Sequence, residues 1–221
     1  MSIRANYPPP IHGEHLILRP WDRNLVAQMA RWGERGFPYH AFDLGNLRDP
    51  EQAEKMLHWA HEPGHHRHFV AVEDGVAVGR VSVNLKDTSG LYLWSVHVPP
   101  EHEGQAVCRR MLAVLMRWLE RTYPTRDFIL SSNSFAEHAH RAYRALGFEV
   151  IETRWHHDKE LAEELWQRTP NERAEIGDQV RFENGRWEVR AHIFRRKRGA
   201  RMITSLRQPP SLLRQPARLL R

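Results

Sequence analysis

From residue 68 onward apolar and polar residues alternate with a period of two. HFVAVE is followed by Asp74-Gly75, then VAVGRVSVNL, then a polar stretch at 86–90, then LYLWSVHV. Alternation of this kind marks half-buried strands, and Asp-Gly between two such runs marks a tight hairpin. Three consecutive antiparallel strands are therefore expected. Immediately afterwards the period changes to that of a helix: Val107, Met111, Leu115, Trp118 and Leu119 recur on one face from near Gln105 to about Pro124.

The flanking segments read in the same way. His15 to Trp21 (HLILRPW) alternates like an edge strand, and Asp22 caps a helix that brings Leu25, Val26, Met29 and Trp32 onto one face. Asp49-Pro50-Glu51 supplies a cap, a proline at the first helical position and an acid in the first turn, so a second helix runs to about His61. Phe128 to Leu130 is a short buried strand. Ser134 and Glu137 have the spacing of a capping box, which starts another helix there, and Gly147 ends it. Phe148 to Trp155 is a strand and Asp158 to Trp166 an extra helix, with loop expected from Pro170 to Asp178. A last hairpin turns at Asn184-Gly185 between 179–182 and 187–194. The fold class is α/β of the α+β kind: a mixed, largely antiparallel sheet of about seven strands with four main helices and an extra helix before the last hairpin.

Composition changes this picture in three ways. The 221 residues, 41% hydrophobic, suffice for one sizeable core, expected over residues 1–198. No apolar run is long enough to span a bilayer, and MSIRANYPPP lacks the order of a secretory signal, so a soluble, cytoplasmic protein is expected. The net charge of +6 is concentrated at the end: residues 195–221 carry nine Lys/Arg and no acid, whereas residues 1–194 hold 24 basic against 27 acidic groups. Residues 199–221 thus read as a basic Arg/Leu/Pro tail, a solvated extension capable of touching nucleic acid. With a single cysteine, Cys108, an internal disulfide and a cysteine-rich zinc site are both excluded. His58, His61, His65, His66 and His68 crowd one stretch, but Pro63-Gly64 interrupts any common ligand geometry, and no metal is expected.

The candidate chemistry centres on the strand, turn and helix from Leu91 to Leu119. The turn offers a flexible Gly104, backbone N–H groups from Gln105 to Cys108 with no intrahelical acceptor, and Arg109 and Arg110 one turn on. Donors, helix dipole and guanidinium all favour an anion at one place, such as a pyrophosphate. An ordinary strand-to-helix connection carrying two solvent-facing arginines has the same sequence features.

Element order, the Glu103-Gly104-Gln105-Ala106-Val107-Cys108 turn, the Leu16 to Trp21 strand and the segment Ala139 to Phe148 (AHRAYRALGF) resemble the GNAT superfamily of acyl-CoA-dependent N-acyltransferases. The resemblance spans roughly His15 to Phe194 and is to the branch that acetylates ribosomal-protein N-termini and related amines. It implies acetyl-CoA as co-substrate, a primary amine of a small molecule or peptide as acceptor, and direct transfer in a ternary complex by a monomer or homodimer. It also implies that the turn 103–108 with Arg109 holds the pyrophosphate and that the backbone of Val96, His97 and Val98 pairs with pantetheine. Three positions depart from the family's (Q/R)xxGx(G/A) signature: Glu103 for Gln/Arg, Ala106 for Gly and Cys108 for Gly/Ala. Ala106 is tolerated if its φ is negative.

By the same resemblance Tyr143 is the general acid for the leaving thiolate, a role that suits a phenol protonated at neutral pH. Asn133 takes what contact remains for the family's helix-start asparagine, whose place is held by Ala136. Leu91 to Val98 contains no carboxylate, so His97 is the candidate base. Strict alternation groups it with Leu93 and Ser95, opposite Tyr92, Trp94, Val96 and Val98. Tyr39, His40, Phe42 and Asp43 lie between the first two helices, where the family's acceptor-binding loops arise, and by that resemblance are the candidate acceptor contacts. The alternatives are a non-catalytic acyl-CoA-binding module, favoured by the degraded signature, and modification of a nucleic-acid-linked amine, suggested by the tail.

Overall fold

The computed structural model describes residues 9–40 and 43–200. Among them the order is β1 (Ile11–His12), β2 (Ile17–Pro20), α1 (Arg23–Met29), α2 (Pro50–Ala60), β3 (His66–Glu73), β4 (Val76–Asn84), β5 (Leu91–His97), α3 (Val107–Thr122), β6 (Phe128–Asn133), α4 (Glu137–Ala145), β7 (Glu149–His157), α5 (Lys159–Trp166), α6 (Pro170–Ile176), β8 (Val180–Glu183) and β9 (Arg186–Arg196). All the strands join one sheet in the order β1-β2-β3-β4-β5-β6-β9-β7, with β8 paired to β9. Pairing is antiparallel except between β5 and β6.

The mixed, largely antiparallel class is as expected, with two corrections. The described strands number nine rather than about seven, because Ile11–His12 adds to the edge of β2 and the final hairpin contributes two strands to the same sheet. The stretch expected to be loop after Pro170 contains α6. Pro170 is its first residue, and Thr169 and Glu172 cap each other's N–H groups. The proline expected to lie just past the end of α5 instead starts the next helix, since the first turn needs no N–H from it.

The local signals act as their chemistry dictates. Asp22 Oδ1 accepts from Leu25 N at 2.8 Å, and Asp49 Oδ1 accepts from the N–H groups of Glu51 and Gln52. Asp74 and Gly75 both take positive φ in the β3–β4 turn, as do Asn184 and Gly185 in the last. Helix α4 is the exception. It starts at Glu137 with no side-chain cap, because the Ser134 hydroxyl is taken by the Gln179 side chain and the Arg190 carbonyl. The expected capping box is therefore not formed.

Two cores flank the sheet. On one face α3 inserts Met111, Leu112, Leu115, Met116 and Leu119 against Phe69, Val81, Val83, Leu93 and Leu130, joined by Tyr143 of α4. Burying each such aliphatic side chain contributes about 1.5–3 kcal/mol. On the other face α1 and α2 cover Val70, Val72 and Ala77 with Trp21, Leu25, Met29, Trp32 and Ala60. A third, smaller core under α5 and α6 contains Phe135, Leu165, Ile176 and Val189. No described helix is long and apolar enough to cross a membrane. The tail beyond residue 200 lies outside the described residues.

Candidate functional site

The sheet opens at its centre, and the cause is local. Ser82 pairs with Trp94 and Arg80 with His97, so Ser95 and Val96 together face Val81, and Ser95 adopts φ 52°. This is a β-bulge, which bends a strand and inverts the alternation beyond it. Strand β5 meets β6 only at Leu91↔Phe128, Tyr92↔Ile129 and Leu93↔Leu130. Past that point the two strands part, leaving the β6-facing edge of β5 open. A cleft of about 1650 Å³ fills the gap, lined by Trp94 to Val98 on one side and Ser131 to Asn133 on the other.

On the α3 side the cleft is bounded by backbone. Gly104 has φ 75° and Ala106, which precedes α3, has φ 57°. The condition under which Ala106 would be tolerated without strain, a negative φ, is not met. A non-glycine residue in this region costs about 1–2 kcal/mol. The two left-handed residues fold the chain so that N–H groups converge ahead of the helix. Among the described residues no backbone N–H from Gly104 to Arg109 finds an acceptor, and no side chain caps α3. Arg109 lines the same cleft and makes no hydrogen bond or ion pair to a described residue. Arg110 also lines the cleft, but its guanidinium is bound to Glu73 and to the Gln105 carbonyl. These uncommitted donors fit a pyrophosphate.

Deeper in the cleft lies Tyr143, 5% exposed, edge-on to Phe194 at 5.5 Å and Phe148 at 6.3 Å. Burial and the neighbouring Cys108 raise its phenol above its ordinary value, so it stays protonated. The Cys108 thiol is pushed up to about 12 by burial, which makes it a packing group rather than a thiolate. Asn133 lines the cleft and accepts from His156 Nε2 at 3.2 Å, so part of its capacity is already used.

The α1–α2 side is built from side chains. Arg35 is its hub, with the side chain only 10% exposed. Its Nε donates to Glu103 Oε1 at 3.0 Å, its Nη1 to Asp43 Oδ1 at 3.2 Å and its Nη2 to the Val98 carbonyl. Asp43 also accepts from the Arg35 N–H at 2.6 Å, closing the loop on itself. Glu103, whose carboxylate would oppose a phosphate, is thereby drawn toward this side.

Because of the bulge, His97 shares the Arg80 and Trp94 face and not that of Leu93, which corrects the parity expected from strict alternation. Its ring stacks on Trp32, with centroids 5.2 Å apart and planes at 6°. Arg35 Nη1 lies 3.4 Å from Nδ1 and 3.3 Å from Nε2. A donor equally near both ring nitrogens sits over the ring face and not in line with either lone pair.

Of the candidate acceptor contacts, Tyr39 lines the cleft, donates to the Phe135 carbonyl at 3.0 Å and meets His138 edge-on at 4.6 Å. His40 does not join it. Its ring is bound to Glu164 and to Arg168, which donates to it at 2.9 Å, and it is absent from the cleft wall. Phe42 lies outside the described residues. Sequence reasoning missed Arg35 and His138, whereas Asp43, expected among the acceptor contacts, does line the cleft. Arg35 sits between two glycines in a polar loop, and only the long-range contacts with residues 97, 98 and 103 give it a place.

The model of the acetyltransferase (GNAT) family matches residues 27–148, spanning the bulge, the left-handed turn and Tyr143. No curated protein matches the chain by sequence. Among solved structures, the fold resembles that of RimL, a ribosomal L7/L12 alpha-N-protein acetyltransferase in complex with coenzyme A. That likeness has a TM-score of 0.57 and 15% identity, over 86% of this chain and 98% of that one. It also resembles an acetyltransferase from Salmonella typhimurium that modifies the N-terminal serine of ribosomal protein L7/L12, with TM-score 0.58, 15% identity and coverage of 86% and 99%. A ribosomal-protein-S5-alanine acetyltransferase from Vibrio fischeri is similar at TM-score 0.56 and 14% identity, over 87% and 98%. With the family model covering more than half of its length, this chain belongs to the GNAT acetyltransferase family and is an acetyl-CoA-dependent N-acetyltransferase.

Proposed function

We propose that the protein acetylates the α-amine of a peptide or protein in the cytoplasm, by direct attack in a ternary complex with acetyl-CoA. The pyrophosphate rests on the N–H groups of Gly104, Gln105, Ala106, Val107 and Cys108, with Arg109 adding charge. Pantetheine lies along the open edge of β5 at Val96, His97 and Val98, where a backbone N–H polarises the thioester carbonyl. Asn133 borders the same channel. The amine approaches from the α1–α2 face past Tyr39 and yields a proton to His97. Its nitrogen attacks the carbonyl carbon, the C–S bond breaks, and Tyr143 protonates the departing thiolate.

The observation that carries this reading is the pairing of an open strand edge with a buried, protonated phenol in one cleft. The choice of a peptide amine is supported by the similar structures of acetyltransferases that act on ribosomal protein L7/L12. The test is thiol release from acetyl-CoA over N-terminal peptides and small amines. Release with peptides, abolished by Tyr143→Phe, is the expected result. No release with any amine, or release undiminished in Tyr143→Phe, contradicts it.

A further inference from the structure

The acceptor side of the cleft holds two buried hydrogen-bond donors with nothing to bind. Arg80 stands on β4 directly across from His97, and Trp94, the partner of Ser82, is its diagonal neighbour on β5. Both line the cleft. Arg80 Nε and Trp94 Nε1 are inaccessible to solvent, and neither has a hydrogen-bond partner. Among the described residues Arg80 has no ion pair either, and its guanidinium lies 5.9 Å from the centre of the Trp21 ring. Guanidinium and indole N–H groups donate and never accept, so they cannot satisfy each other.

The carboxylates lining the same cleft are committed elsewhere. Asp43 and Glu103 are held by Arg35, and Asp158 caps α5 by accepting from Leu161 N at 3.1 Å. Burial lowers Arg80 to about 10, which still leaves it charged at neutral pH. Its charge, together with burial and the neighbouring His66, helps hold His68 near 4 and therefore neutral. The pocket is thus cationic, donor-rich and floored by aromatic rings, with Met56, Leu44 and Asn46 on its outer wall. A buried cation without a counterion is costly in a protein interior unless a ligand supplies one.

We infer that Arg80 and Trp94 form a carboxylate-binding subsite, so that the preferred acceptor is an amine bearing a carboxylate about one residue's length from the reacting nitrogen. This rests on the acceptor entering from the α1–α2 face. Two oxygens with four lone pairs match a fork of guanidinium N–H groups plus one indole N–H. Directly opposed residues in a sheet lie about 5 Å apart, so a group on Arg80 remains close to the backbone of Val96 to Val98 where the acetyl carbon is placed. The carboxylate has two sources: the side chain of an N-terminal Asp or Glu, or the α-carboxylate of a free amino acid.

The test compares C-terminally amidated peptides that begin with Asp or Glu against the same peptides beginning with Asn or Gln, with free glutamate and glutamine as a separate arm. Rates of acetyl transfer are measured, and binding to the coenzyme A-loaded protein is followed by calorimetry. Wild type should favour the acidic peptides 10- to 100-fold, the range expected of a charge-assisted pair. Arg80→Met should bring that ratio close to one, and Arg80→Lys should restore part of it. Acetylation of free glutamate and free glutamine alike, in preference to every amidated peptide, assigns the subsite to an α-carboxylate. A wild-type peptide ratio near one without that preference for free amino acids, or a preference unchanged in Arg80→Met with its fold verified by thermal unfolding, overturns the inference. If coenzyme A binds but no amine is acetylated, catalysis is what fails, and the calorimetric ratio still decides for or against Arg80.

Discussion

The two halves of the cleft are made of different material. The α3 half is backbone: a glycine and an alanine at positive φ, free N–H groups ahead of a long helix, and an open strand edge. The α1–α2 half is side chain: Arg35, Asp43, Arg80, Trp94 and His97 arrive from three separate segments and meet only once the chain has folded. A backbone site recognises what every acyl-CoA has in common, whereas a side-chain site is where one acceptor is told from another. The difference predicts that substitutions in the first half act on acetyl-CoA and those in the second on the amine.

The largest test of that division is Tyr143→Phe, which sits where the halves join. It removes the proposed proton donor while keeping the packing against Phe148 and Phe194. A fall of about 100- to 1,000-fold in kcat is expected, with little change in Tm. Next is Arg35→Ala. It leaves the Asp43 carboxylate, 10% exposed, with only the residue-35 backbone N–H and frees the Val98 carbonyl and Glu103, so a stability loss of about 2–3 kcal/mol is expected in denaturant unfolding. Acetyl-CoA affinity should change less than the KM for the amine.

One buried histidine lies beneath each half and gives a pH signature. His140 packs under α4 against His192 and Phe194, and His68 lies under Trp59 and Trp94; burial holds both near 4, well below 6.5. Between those values the unfolded chain takes up the protons, so stability is full above pH 6.5 and declines as the pH falls toward 4. The slope is about 1.4 kcal/mol per unit for each histidine. In thermal unfolding at pH 5 against pH 7, His140→Phe should lose roughly half of that dependence.

The smallest effect is that of Ala106→Gly. It relieves left-handed strain of about 1–2 kcal/mol but frees the unfolded chain, for a net gain of about 0.5 kcal/mol in Tm-derived stability. Acetyl-CoA should bind slightly more tightly as the turn relaxes.

The same division explains what was legible in the sequence. Alternation at 68–98, the helical face of α3, the Asp22 and Asp49 caps and the two positive-φ hairpins act within a few residues, so pattern alone located them. The Ala139 to Phe148 segment carried Tyr143 by likeness. Local patterns failed where a distant group intervened. Ser134 gave its hydroxyl to Gln179 and Arg190 instead of α4, the bulge at Ser95 reversed the face of His97, and Glu164 with Arg168 drew His40 out of the cleft. Arg35 and Arg80 carry no signal of their own, because each acquires its role from residues as far away as positions 97–103.

The most direct measurement of the central claim is amide hydrogen exchange with and without saturating acetyl-CoA. The backbone site predicts new protection at Gly104 to Arg109 and along Val96 to Val98, with residues 33–60 unchanged until an amine is added. Protection absent from Gly104 to Arg109, or appearing first on the α1–α2 side, would contradict it.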